Sequence, residues 1–309
     1  MKSVKVFAPA TVANVGCGFD AMGFAFKGAG DLIEMSLTES DDIEYVNESG
    51  VNLPTDPEKN LMTHAIRAMW ESTGKKCGVK IVIKEKISPG SGIGSSASAA
   101  ASAVVGYNEL MELGFSDEEL IPFALEGECI ASGARHADNV APALLGGVVL
   151  VRDYNPIDVV RIHPAMKLYC AVVHPHIEVK TIDSRAVLKP ELPMSTAIRQ
   201  WANLGSFIAG LYNGDVALVS RALKDYVAEP YRKKFIPEYD KLKSAISECE
   251  GAIGSNISGS GPSVFALATS QESADNIAKV MAAHFEELGV GADTYSSDIC
   301  NEGCHLINA

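Results

Sequence analysis

With 309 residues, 47 % of them hydrophobic, the chain is long enough for two domains of ordinary size, each with a buried core. Its formal charge of −13 is the wrong sign for a binder of phosphate backbones, so nucleic acid is not an expected partner. The seven cysteines are scattered without a Cys-x-x-Cys pair, and no apolar run reaches the roughly 18 residues of a membrane helix; free thiols in a reducing cytoplasm are expected, and neither secretion nor a membrane.

Taken in order, Val4–Ala8 alternates as a strand, Pro9 leads into a glycine-bearing loop over Asn14–Gly18, and Met22–Lys27 and Asp31–Leu37 read as further short strands. The acidic, polar stretch Asp41–Asn52 predicts a surface hairpin. Leu61, Ala65, Ala68 and Met69 share one helical face over Asn60–Thr73, with Gly74 just past its end. Asn60 stands where it can cap that helix.

The strand Lys80–Ile87 is followed by Pro89, Gly90, Ser91, Gly92, Ile93, Gly94, Ser95, Ser96 and Ala97, then by the alanine-rich helical segment Ala99–Leu113. A strand, a loop with three glycines in five residues and a helix N-terminus make a phosphate cradle, because the backbone can approach an anion closely and the helix dipole attracts it. The same loop also suits a plain tight turn. Ser95 or Ser96 is expected to cap the helix and leave a hydroxyl for phosphate or Mg²⁺. The loop has no Walker lysine, and Ser95 stands where the dinucleotide fingerprint needs its third glycine.

Phe115-Ser116-Asp117-Glu118-Glu119-Leu120 carries a capping box and opens a helix to about Ala131, with a kink expected at Pro122. Glu126 and Glu128, two positions apart on it, fall on different faces, so at most one can enter a site. His136-Ala137-Asp138-Asn139 reads as an extended loop before the short apolar helix Val140–Leu145, where Asp138 or Asn139 could serve simply as a cap. After the strand Gly147–Arg152, the turn Asp153–Pro156 is expected to divide the chain into domains of residues 1–155 and 156–309.

The second half predicts strands at Val159–Ile162, Leu168–His174, Ala252–Ile257, Val264–Ala268 and Gly291–Ser296. Helices are expected over Thr196–Tyr212, Val216–Tyr226, Tyr239–Glu248 and Ser273–Leu288, and a loop over Lys180–Arg185. The alternation points to a two-layer α+β sandwich of ferredoxin-like type.

Three motifs occur in order: Pro9–Gly23, Pro89–Ser98 and Ser258-Gly259-Ser260-Gly261-Pro262-Ser263. Together they resemble the signatures of the kinases named after galactokinase, homoserine kinase, mevalonate kinase and phosphomevalonate kinase (GHMP). The first motif and His136–Pro142 are similar to the homoserine-phosphorylating branch in particular. Cys17 is the one departure noted within the first motif.

The resemblance implies an α+β, two-domain GHMP kinase fold, with an N-terminal domain like the second domain of ribosomal protein S5 and a ferredoxin-like C-terminal domain. It implies ATP-dependent phosphorylation of the L-homoserine hydroxyl, by a homodimer, on the route to threonine. It assigns ATP to the Pro89–Ala97 loop and Asn60, and Mg²⁺ to Ser96 and Glu128. It places Asn14, Asp20, His136, Asn139, Arg185, Arg232, Gly259 and Gly261 around the substrate, with Asn139 beside the reacting hydroxyl, His136 nearby and Arg185 and Arg232 at the carboxylate-binding positions. It makes Asn139, Arg185, Ser96 and Glu128 the catalytic residues. A GHMP kinase acting on another small alcohol and a non-catalytic nucleotide sensor are the alternatives.

Overall fold

The computed structural model describes residues 2–54, 56–133 and 135–307. The first sheet is built from β1 (Ser3–Ala13) and β2 (Met22–Leu37), which pair antiparallel along their length. β2 was expected as two strands. Instead one bent strand bulges at Lys27, Gly28 and Ala29, where the pairing jumps from Pro9↔Gly30 to Ala10↔Phe26. The polar bulge mimics a turn in the sequence, while the backbone continues and reaches two different neighbours.

β3 (Ile43–Asn47) is not part of a hairpin: after α1 (Leu61–Thr73) the chain returns as β4 (Val79–Glu85), which pairs parallel to β3 and antiparallel to the far half of β2. Only Ile43 of β3 is buried, as fits an edge strand. The helices α2 (Ser95–Leu110), α3 (Asp117–Ser132) and α4 (Ala137–Leu145) pack with α1 on one face of this sheet. Ala97, Ala100, Ala101 and Ala103 let α2 run buried through the middle of that layer, against Val6, Ile33 and Ile81 of the sheet.

β5 (Val148–Tyr154) pairs with the start of β2, and β6 (Ile157–Ile162) pairs back onto β5. The turn at Asp153–Pro156 therefore belongs to a hairpin within the first sheet, and the division expected at 155/156 falls inside it. The chain enters the second sheet with β7 (Tyr169–Pro175). There follow α5 (Thr181–Ala186), where a loop was expected, α6 (Met194–Asn213), α7 (Val216–Ala222), α8 (Glu229–Arg232) and α9 (Tyr239–Ser247). Helix α7 is shorter than its sequence suggests, because Asp225 turns the chain by accepting from the backbone N–H groups of Val227, Ala228 and Glu229.

β8 (Ala252–Ile257), β9 (Val264–Ala268), α10 (Gln271–Glu287) and β10 (Ala292–Asp298) complete a β-α-β-β-α-β pattern in the order β10-β7-β9-β8, fully antiparallel, which is the ferredoxin-like arrangement. β11 (His305–Leu306) then returns to the first sheet beside β1. One face of the second sheet buries α9 and α10. Its other face shares a core with the first sheet and with α6 and α7, where Phe24 meets Phe265 edge-on at 5.8 Å. Among the described residues no helix is long and apolar enough to cross a membrane.

Candidate active site

β4 delivers the chain to Pro89–Gly94, and α2 carries it away. Gly94, at φ 75°, occupies the N-cap of α2, so neither Ser95 nor Ser96 caps the helix with its side chain. Ser95 instead turns inward, donating to Ile87 O at 2.7 Å and accepting from Lys86 Nζ at 2.6 Å. Ser96 stays half-buried on the wall of a cavity of about 420 Å³.

The third motif is packed against this loop. Ser258 Oγ donates to Gly92 O at 2.7 Å and Ser263 Oγ to Ser91 O at 2.6 Å. A Cβ at Gly92 would lie 2.6 Å from Gly261 O, so this loop needs its bare backbone at the contact. Behind the loop, Lys86 forms a buried ion pair with Asp31 at 2.9 Å and donates to Ser95 O at 2.8 Å. Nothing in the alternation of β4 marks Lys86 as inward-facing, and sequence reasoning missed it.

One end of the cavity is apolar, lined by Leu53, Pro54, Leu61, Met62, Ile83 and Ile130 together with Asn60. Asn60 does cap α1, accepting from Met62 N at 3.0 Å, while also contributing to the wall. The other end is densely charged. Glu128 of α3 is 3 % exposed and lies 3.3 Å from His136 Nδ1, whereas Glu126 is on the outside, paired with Arg135 at 2.5 Å. Burial alone would lower the His136 pKa; the Glu128 hydrogen bond and the Asp138 charge outweigh it and hold the imidazole above its ordinary value.

Asp138 and Asn139 lie in the first turn of α4, not in an extended loop, because the helix begins at Ala137 with His136 as its N-cap. Asp138 is 2 % exposed and its Oδ1 has no hydrogen-bond partner among the described residues. Burial, and after it the charge of Asp20, pushes its carboxyl up to about 7. Asn139 Oδ1 accepts from Thr11 Oγ1 at 2.8 Å. Thr11 and Asp138 both stand inside the quoted motifs, yet their roles depend on which way each side chain turns, and composition does not carry that information.

The loop after β1 brings in Asn14 and Asp20, at φ 68° and 55°, left-handed conformations that a non-glycine residue adopts only where its surroundings hold it. Asn14 Oδ1 accepts from Asp20 N at 3.0 Å, and its Nδ2 donates to Gly259 O at 2.9 Å. Asp20 forms a two-pronged ion pair with Arg185 of α5, at 2.6 and 3.1 Å, and this pairing raises the Arg185 pKa. Arg232 of α8 is 4 % exposed, donates to Gly259 O at 2.7 Å and Ser184 O at 3.3 Å, and has its pKa lowered by burial. Phe19 lies under both guanidinium groups, 5.7 Å from Arg185 and 5.1 Å from Arg232, a contact the sequence did not suggest. Cys17, the departure in the first motif, is buried and its thiol is pushed up to about 12, which keeps it unreactive.

Two family models match the chain, the GHMP kinases N terminal domain over residues 60–147 and the GHMP kinases C terminal over 207–287. A homoserine kinase of Chloroherpeton thalassium is 41 % identical over 99 % of this chain and 100 % of its own length. The chain belongs to the homoserine kinases of the GHMP family. A crystal structure of homoserine kinase from Cytophaga hutchinsonii superposes on this kinase with a TM-score of 0.95 at 43 % identity, covering 99 % of this chain and 98 % of that one. The crystal structure of L. major mevalonate kinase shares the fold at a TM-score of 0.74 and 18 % identity, covering 96 % of this chain and 95 % of that one.

Proposed function

We propose that the protein transfers the γ-phosphoryl group of ATP to the side-chain hydroxyl of L-homoserine, giving O-phospho-L-homoserine and ADP. The observation that carries this reading is one cavity with a glycine loop at a helix N-terminus in its wall and, at its charged end, Asp20 and Asp138 set against Arg185 and Arg232. That set offers an anion for an ammonium group and cations for a carboxylate, as a small amino-acid acceptor requires. ATP is the family's co-substrate, and the apolar end beside Asn60 suits its base.

The donor set fits Mg²⁺: Glu128 and Ser96 supply a carboxylate and a hydroxyl on the cavity wall, hard oxygen donors that leave room for phosphate oxygens and water. When bound, the ion neutralises charge on the triphosphate. The chain's own contribution is positioning, which dominates in phosphoryl transfer through a loose transition state. The interlocked loops hold the phosphates, Arg232 is fixed by two carbonyl groups, and Asp20 and Arg185 satisfy each other until ammonium and carboxylate replace their mutual contacts. Asn139 faces the acceptor hydroxyl and cannot take its proton. The cytoplasmic location and homodimer expected from the sequence belong to this reading.

The test is ADP release over homoserine, 4-hydroxybutyrate, mevalonate, shikimate and galactose. Homoserine should exceed the others in kcat/KM by at least about 30-fold, the worth of roughly 2 kcal/mol of charge pairing. Equal turnover of mevalonate or 4-hydroxybutyrate would remove the amino-acid acceptor. Absence of acceptor-dependent ADP release would leave a nucleotide sensor.

A further inference from the structure

An asparagine beside a reacting hydroxyl can offer either its carbonyl or its amide N–H groups, and which one it offers depends on what holds the other side. Asn139 Oδ1 accepts from Thr11 Oγ1 at 2.8 Å, and a carbonyl oxygen only accepts, so Thr11 spends its single hydroxyl proton there. The same Oδ1 lies 3.2 Å from the position a Cβ on Gly94 would take, so it is turned toward β1 and the phosphate loop. Nδ2 takes the opposite side. Asn139 lines the cavity, and among the described residues its Nδ2 makes no hydrogen bond.

Thr11 is fully buried, and its second contact is with the loop itself: its backbone N–H donates to Ile93 O at 3.1 Å. Its Oγ1 sits only 2.0 Å from where a Cβ on Gly94 would fall, so the loop closes directly over this hydroxyl. One residue of β1 is thereby bonded through its main chain to the phosphate loop and through its side chain to the first turn of α4.

We propose that Thr11 is a positioning residue that turns the Asn139 NH₂ group toward the acceptor hydroxyl and holds it in register with the phosphate loop. The proposal rests on the acceptor reading given above. Asn139 then acts as a donor to the acceptor oxygen, orienting a lone pair toward the phosphoryl group. A hydroxyl is required at position 11, while the methyl group of threonine only fills space.

Thr11→Val keeps the shape and removes the bond. It should lower kcat about 10- to 100-fold while leaving ATP affinity and melting temperature close to wild type. Thr11→Ser, which restores the hydroxyl, should recover kcat to within about 3-fold of wild type. The decisive comparison is the double variant: Thr11→Val placed on Asn139→Ala should cost nothing beyond Asn139→Ala alone, because the hydroxyl then has nothing to orient. The proposal is overturned by a Thr11→Val enzyme with wild-type kcat, by a Thr11→Ser enzyme as impaired as Thr11→Val, or by a full additional loss in the double variant. If Thr11→Val does not fold, the serine variant and Asn139→Ala/Thr11→Ser still decide it, since serine must then behave as wild type in both backgrounds. A wild-type protein without homoserine-dependent ADP release would instead remove the acceptor reading.

Discussion

Glu126 and Glu128 show how two carboxylates two positions apart on one helix acquire different surroundings. Glu126 is neutralised on the surface by Arg135, whereas Glu128 is buried on the cavity wall beside His136. Glu128→Gln should therefore lower kcat by about two orders of magnitude or more, and Glu126→Gln should stay within about 2-fold of wild type, both with unchanged melting temperature. Steady-state kinetics at saturating ATP and Mg²⁺ checks this. Asp138 presents a different balance. Its folded carboxyl is raised to about 7 from an ordinary 3.8, so folding favours its protonated form. The stability this provides is present in acid and is lost as pH rises from about 4 through 7. Asp138→Asn, which mimics the neutral form, should match wild type in stability near pH 4 and exceed it near pH 8 by on the order of 1–3 kcal/mol without ligands. Melting curves of the two apo proteins across that range would expose an error, since equal stability at pH 8 would mean that folding does not raise this carboxyl.

At the scale of elements, the glycine loop over Pro89–Gly94 is held by three other segments. Thr11 supports it from β1, Ser258 and Ser263 grip its carbonyl groups from the third motif, and Lys86 ties Ser95 to Asp31 behind it. Leaving Gly94 as a bare N-cap keeps side-chain oxygens away from the first N–H groups of α2, where an anion binds best. Gly94→Ala adds a Cβ 2.0 Å from Thr11 Oγ1 at a left-handed φ, so the loop must move away from β1. ATP affinity measured by calorimetry should fall at least about 10-fold with the rest of the fold intact. Unchanged affinity in a folded variant would reduce Pro89–Ser98 to a turn.

Across the whole molecule, the charged end of the cavity exists only because the two sheets share a core. Asp20, Asp138 and Asn139 come from the first half, and Arg185, Arg232 and Gly259 from the second. Arg232→Ala and Asp20→Ala should each lower kcat/KM for homoserine at least about 30-fold, since removing one partner leaves a ligand charge unpaired. ATP affinity should change little in Asp20→Ala, because the apolar end and the glycine loops do not depend on that residue. With 4-hydroxybutyrate, which has no ammonium group, wild type should be poor and Asp20→Ala should lose little more. A loss on 4-hydroxybutyrate as large as that on homoserine would show that Asp20 holds the loop and not the substrate.

Much of this was legible from local pattern. The capping box at Ser116 and Glu119 forms as written, Asn60 caps α1, and the strands and longer helices expected in the second half form within a few residues of their places, while the short α5 and α8 were not foreseen. These features depend on neighbours three or four positions apart, so the chain carries them within itself. The three motifs likewise marked the glycine loops, and the cavity contains residues from each of them. What the sequence could not supply is the direction of side chains whose partners lie far along the chain. Lys86 turns inward because Asp31, 55 residues earlier, waits there unsolvated. β2 stays one strand because β1, β4 and β5 pair with it along its length, and Asp153–Pro156 joins a hairpin because β6 pairs with β5 before the chain departs. Asp20 is bonded to Arg185 across 165 residues, and Thr11 to Asn139 across 128. Such contacts are decided by which surfaces the shared core brings together, and they set the electrostatics and orientation on which the chemistry depends.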